Sequence, residues 1–106
     1  MNFKEYQEAA KATSLYPREY EVVYPSLGLA SEAGEVADKV KKHLRDGTSV
    51  AALQESLSKE LGDVLWYVAA ICTDLKLNLG DVARANIFKL QDRKIRGVLG
   101  GSGDER

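Results

Sequence analysis

The sequence has one cysteine, one histidine and two prolines among its 106 residues. Cys72 alone excludes an internal disulfide and fits a reducing cytoplasm. Its place in an apolar run marks it as a buried structural thiol rather than a nucleophile. A lone His43 excludes the Glu-x-x-His pairs from which di-iron carboxylate bundles are built, and among the lysines of a helix end it reads as a surface residue. No basic excess exists to collect nucleic-acid phosphates, since the net charge is -1. The longest apolar run, Val64 to Cys72, is too short to cross a bilayer. Met1-Asn-Phe-Lys-Glu5 turns polar too soon for a signal peptide. There is no strand-like alternation, no repeat or linker, no Walker loop and no dinucleotide glycine pattern. These absences predict a soluble cytoplasmic protein of one domain, residues 1–106, that binds neither membrane nor nucleic acid.

What remains is helical. Asn2 and Glu5 have capping-box spacing, and Phe3, Tyr6, Ala9 and Thr13 continue a first helix to about Leu15. Pro17 breaks it at Tyr16, and the stretch to Tyr24 reads as an aromatic loop at the edge of a site. Pro25 opens a second helix with the stripe Leu29, Ala33, Val36, Ala37, Val40 and Leu44, ended by Asp46-Gly47. Thr48 or Ser49 caps a third helix to about Lys76, with Leu53, Leu57, Leu61, Val64, Leu65, Val68, Ile71 and Leu75 as its stripe. Asn78 to Asp81 forms a turn and cap before a fourth helix from Asp81 to Arg96, and 97–106 is a glycine-rich tail. The pattern predicts an all-α, four-helix bundle-like domain with a central antiparallel helical hairpin. The third helix is apolar nearly all round from Val64 to Cys72. That predicts a homo-oligomer, a dimer packing through this helix.

Two acidic pairs organise the chain. Glu32/Glu35 lie in Leu29-Ala-Ser-Glu-Ala-Gly-Glu-Val36, and Glu60/Asp63 in Leu57-Ser-Lys-Glu-Leu-Gly-Asp-Val64. Spacing of i, i+3 puts each pair on one side of its helix. Glu32 mirrors Asp63, and Glu35 mirrors Glu60, about the Gly47–Thr48 break, so a hairpin there brings four carboxylates to one level. Glu60 shares a face with Leu53, Leu57, Val64 and Ile71, where an uncompensated charge is costly. A cation is the expected compensation, and an all-oxygen ligand set suits Mg²⁺, Mn²⁺ or Ca²⁺.

Carboxylate-held Mg²⁺ commonly keeps positions for substrate phosphates. Asn86, Lys89 and Arg93 follow one face of the fourth helix, and Lys39 lies one turn beyond Glu35. They are candidate phosphate ligands. Tyr67 falls on the Asp63 side of the third helix and Trp66 is expected to point elsewhere. Core packing accounts for both, and an aromatic face near a phosphate site could also stack a base.

Glu32-x-x-Glu35 and Glu60-x-x-Asp63 resemble the E-x-x-E…E-x-x-D signature of the MazG-like all-α nucleoside triphosphate pyrophosphohydrolases. Lys59-Glu-Leu-Gly-Asp-Val-Leu-Trp-Tyr67, Ala85-Asn-Ile-Phe-Lys-Leu90 and Arg96-Gly-Val-Leu-Gly-Gly-Ser-Gly-Asp104 are similar to theirs too. The resemblance implies a helical bundle forming homodimers or homotetramers. It implies Mg²⁺-dependent cleavage of a (d)NTP to the monophosphate and pyrophosphate, with Mn²⁺ as a substitute. By motif, Glu32, Glu35, Glu60 and Asp63 would hold the metal, and Glu32 or Glu35 would act as general base. Asn86 and Lys89 match a substrate-contacting helix, and Tyr67 a position near sugar or base. Phosphoribosyl-ATP pyrophosphohydrolase, which shares the bundle and its acidic logic, and a non-enzymatic oligomerisation module with a structural cation are the competing readings.

Overall fold

The computed structural model describes all 106 residues as helices and short connections. Helix α1 spans Phe3–Ala12. Asn2 Oδ1 accepts the Glu5 N–H at 2.9 Å and Glu5 Oε1 accepts the Asn2 N–H at 3.3 Å, completing the capping box. The helix stops short of Leu15 because the Thr13 hydroxyl donates to the Ala10 carbonyl at 2.8 Å and closes the last turn. A single 3₁₀ turn, Arg18–Tyr20, interrupts the aromatic loop that follows.

Helix α2 runs Val23–Asp46, starting two residues before the expected Pro25. Proline is tolerated there because the first-turn N–H groups have no helical acceptor anyway. Gly47 ends α2 in the left-handed conformation, φ 64°. Ser49, not Thr48, caps α3 (Val50–Asp74), its hydroxyl accepting the Ala52 N–H at 3.1 Å. Helix α4 spans Leu79–Arg96 rather than starting at Asp81, because Asn78 is the cap and Asp81 supplies the N–H that its side chain accepts.

The short Gly47–Ser49 connection folds α2 back along α3 into the predicted antiparallel hairpin, which is the dominant packing of the chain. Helix α1 lies on α3. Gln7 ties it to the α3–α4 turn, donating to Thr73 Oγ1 and the Leu77 carbonyl and accepting the Leu79 N–H at 2.9 Å. A small core of Ala10, Ala69, Cys72 and Leu79 sits at this junction, with Tyr6, Trp66 and Val68 against it. Cys72 is buried there, and burial pushes its thiol pKa up, which suits the structural role.

Helix α4 packs on α1 and α3 rather than on α2. The radius of gyration is 16.6 Å, against about 13 Å for a compact chain of this size. Only 7 of 106 residues are buried, and α4 leaves Ile87 52%, Phe88 65% and Ile95 85% exposed. The apolar stretch of α3, by contrast, is half to fully covered within the chain. Exposed apolar side chains are spread along the chain, with Val23, Tyr24 and Leu27 on α2 and Val82, Ile87, Phe88, Leu90 and Ile95 on α4. No helix is long and apolar enough to cross a membrane.

Candidate functional site

The hairpin brings Glu32 of α2 against Glu60 and Asp63 of α3. One carboxylate oxygen from each lies within 4.8 Å of the other two. Glu32 and Glu60 are half-buried and Asp63 is exposed. Glu35, one turn from Glu32, is exposed and is not among the three acids whose oxygens meet at this distance. The expected quartet is therefore a trio with one satellite.

The trio carries unbalanced charge. The Glu32 carboxyl is held above its usual pKa, first by desolvation, then by a hydrogen bond from its protonated form to Glu60 and by the charges of Asp63, Glu60 and Glu35. No lysine or arginine pairs with any of these acids. The positive charge at the end of α2 goes instead to Asp38, which binds Lys41 at 3.1 Å and Lys42 at 2.8 Å. Lys39, one turn from Glu35, is half-buried and makes no ion pair.

A proton or a cation can relieve such a cluster. Three hard oxygens at this separation, with exposed Asp63 leaving a side open, fit a divalent cation of the Mg²⁺ type.

Aromatic rings surround the trio. Trp66 and Tyr67 line the same recess as Glu32 and Asp63. The placement of Trp66 corrects the expectation that it points elsewhere: at i+3 from Asp63 it returns to the same side of α3. Its indole N–H donates to Thr13 Oγ1 at 2.8 Å, and it meets Tyr67 edge-to-face at 5.1 Å. The Tyr67 ring lies so close to Gly28 that a Cβ there would fall inside it. Gly28 is one turn before Glu32, so this glycine sets how near α2 approaches α3 beside the acids. Burial, with Tyr24 and then Glu32 nearby, pushes the Tyr67 pKa up, and burial with the Asp63 charge does the same to Tyr6 of α1.

Beyond Trp66 and Tyr67 a second cavity of about 400 Å³ opens, walled also by Tyr16, Pro17 and Tyr24. Its two far rings, Tyr16 and Tyr24, stack at 4.9 Å. The acidic recess and the aromatic slot thus share Trp66 and Tyr67 as a common wall. The sequence marked Tyr67 and the aromatic loop, but Gly28 and Tyr6 carry no local signal for the site; the packing of α2 and α1 on α3 places them.

The α4 candidates are placed differently. Lys89 Nζ and Arg93 Nη2 both reach Asp104 Oδ1 at 3.3 Å, and Arg93 also donates to the Asp104 carbonyl at 2.9 Å. Arg93 is 4% exposed. Arg106 donates to the carbonyls of Val98, Leu99 and Gly103, closing the tail on itself, and Arg96 of α4 donates to the Arg106 carbonyl at 2.7 Å. Asn86 is exposed and without a partner on the same helix. Lys89 and Arg93 therefore hold the tail within this chain.

A family model described as MazG nucleotide pyrophosphohydrolase domain matches residues 26–97, which span the hairpin and α4. Gene 37 protein of Mycobacterium phage L5 is 46% identical over 109 residues, covering 95% of this chain and 96% of that protein. No solved structure gives a significant match.

Proposed function

The chain belongs to the MazG nucleotide pyrophosphohydrolase family, and from that premise we propose that it is a Mg²⁺-dependent enzyme cleaving a (d)NTP to the (d)NMP and pyrophosphate. The observation that carries this reading is the convergence of Glu32, Glu60 and Asp63 beside an aromatic slot. A triphosphate needs its charge neutralised and a base needs a π-face, and the two features adjoin through Trp66 and Tyr67.

Glu32, Glu60 and Asp63 would hold Mg²⁺, with Mn²⁺ as a substitute. Bound there, the cation supplies neutralisation of the phosphate oxygens and of the charge that develops on departing pyrophosphate. Glu35 lies outside the trio and is exposed, so it is our candidate for the general base that takes a proton from the attacking water. Lys39, free of any ion pair and one turn beyond Glu35, would meet the outer phosphates. Tyr67 and Trp66 hold the sugar and base.

A second copy of the chain would cover the exposed apolar strip of α4. Across that contact Asn86 would approach the acidic trio of the partner, and Lys89 would do so on exchanging Asp104 for a phosphate. The (d)NTP is the partner molecule of this reading, and nucleotide-pool house-cleaning its role.

The direct test is pyrophosphate release measured over canonical and modified (d)NTPs, with phosphoribosyl-ATP included, with and without Mg²⁺. Metal-dependent release in equal amounts with the monophosphate is expected. Release of orthophosphate instead, or metal-dependent melting with no turnover, would exclude the proposed reaction.

A further inference from the structure

Val22, just before α2, has φ 65° and ψ -49°. The Val23 N–H donates across it to the Glu21 carbonyl at 2.7 Å, which closes a γ-turn centred on a β-branched residue. That is among the costly backbone states, and it persists only where the surroundings impose it. Lys76, the other non-glycine residue at positive φ, sits in the ordinary left-handed position after a helix end.

The Val22 turn is imposed from a distance. Asp74, the last residue of α3, accepts the Val22 N–H at 2.9 Å and the Tyr16 hydroxyl at 2.7 Å, both on Oδ2. One carboxylate oxygen thus fixes both ends of the aromatic loop. Tyr16 carries Tyr24 with it by stacking, and the pair forms the far wall of the cavity that Trp66 and Tyr67 close on the other side. No other side chain bonds the backbone of this loop to α3. Asp74 itself does not line that aromatic cavity.

We propose that Asp74 is a positioning residue for base recognition: from the end of α3 it latches Tyr16 and the strained Val22 turn, so that the Tyr16–Tyr24 stack stands at a fixed distance from Trp66 and Tyr67. The inference rests on reading the aromatic cavity as the nucleobase pocket. Charge-assisted bonds of this kind are the strong ones, and losing them leaves the γ-turn free to relax toward an ordinary backbone conformation, which moves the wall.

Trp66 is the only tryptophan, so its fluorescence reports on this cavity and on the acidic recess that shares its ring. The probes are the four deoxynucleoside monophosphates, titrated in EDTA so that binding is read without metal or turnover. At least one should quench Trp66 in the unaltered protein. Asp74→Ala should weaken that binding about tenfold, the scale of a lost hydrogen bond to a charged group. Asp74→Asn should recover most of the loss, because an amide oxygen can accept from both donors. In turnover, KM for the matching triphosphate should rise by the same factor with kcat within about twofold.

Inhibition by inorganic tripolyphosphate, which has no base, should stay unchanged; an equal loss there would mark a merely structural role and overturn the proposal. So would an absence of quenching, or quenching that Asp74→Ala leaves unaltered. If Asp74→Ala does not fold, Tyr16→Phe keeps the ring, drops one donor and should weaken binding by about threefold. Asp74-dependent nucleotide binding without pyrophosphate release would sink the enzymatic reading and leave this one standing. Normal turnover indifferent to Asp74 would do the reverse.

Discussion

The acidic trio and the folded tail are two charge clusters built to opposite plans. At the tail, Asp104 meets Lys89 and Arg93, and Arg96 and Arg106 bond to a carboxylate and to backbone carbonyls, so cations and acceptors close on one another. At the hairpin, Glu32, Glu60 and Asp63 converge with no lysine or arginine between them, and desolvation, followed by Glu60 and the neighbouring charges, pushes the Glu32 pKa up. The same kind of chain thus spends its basic residues on one cluster and withholds them from the other. Where a fold leaves like charges together, a proton or a cation from solution can relieve them. A closed cluster contributes to stability, whereas an open one gives up stability for binding.

The largest effect that tests this contrast is on activity. Glu60→Gln keeps the shape of the side chain and removes a charge from the open cluster. Mg²⁺-dependent pyrophosphate release should fall by about a hundredfold or more, the scale of losing a charged group that acts on the transition state. The metal-free protein should melt no lower, and somewhat higher, than its parent. Full activity in this variant would refute the role of the trio.

The next effect is structural and sits at the closed cluster. Asp104→Ala leaves the 4% exposed Arg93 without its counter-ion, whereas Arg93→Met leaves Asp104, at 83% side-chain exposure, free to be hydrated. Losing the acid should therefore lower the melting temperature more than losing the base does. Thermal melting of the two variants followed by circular dichroism checks the order. The reverse order would mean that the tail is held by contacts other than this pair.

The contrast also divides what a reader of the sequence could see. Caps are local, so Asn2 with Glu5, Ser49 and Asn78 were legible from residue type and spacing, and so were the i, i+3 acids and their mirror placement about Gly47. Lateral geometry was not. Glu35 lies outside the trio although it has the same i, i+3 spacing that keeps Glu60 with Asp63. Gly28 matters only because Tyr67 arrives against it from another helix. The direction of α4 is decided by three residues between Asp74 and Asn78 and by the Gln7 bonds across sixty-six to seventy-two residues. No periodicity in α4 encodes that it faces away from α2. Its pairing of Lys89 and Arg93 with Asp104 was not legible, because that acid lies in a glycine-rich tail with no helical pattern of its own.

The smallest effect is also the sharpest in sign, because the two clusters should respond to pH in opposite directions. The folded state holds the Glu32 proton to a higher pH than the unfolded chain does. Metal-free protein therefore loses stability as pH rises from the ordinary glutamate value of 4.5 through the raised folded value, and regains it on acidification. Asp104 is shifted the other way, first by its hydrogen bonds to Lys89 and Arg93 and then by their charges. Its contribution is fully present above the ordinary aspartate value of 3.8 and is lost as pH falls through the lowered folded value. Melting temperatures in EDTA should carry a gain between neutral pH and 4.5 that Glu32→Gln removes, and a loss below 3.8 that Asp104→Asn removes. Mg²⁺ added at neutral pH should raise the melting temperature and flatten the first limb, because the cation does there what the proton does in its absence. A first limb that survives Glu32→Gln would place the unbalanced charge elsewhere than in the trio, and the two clusters would no longer differ in kind.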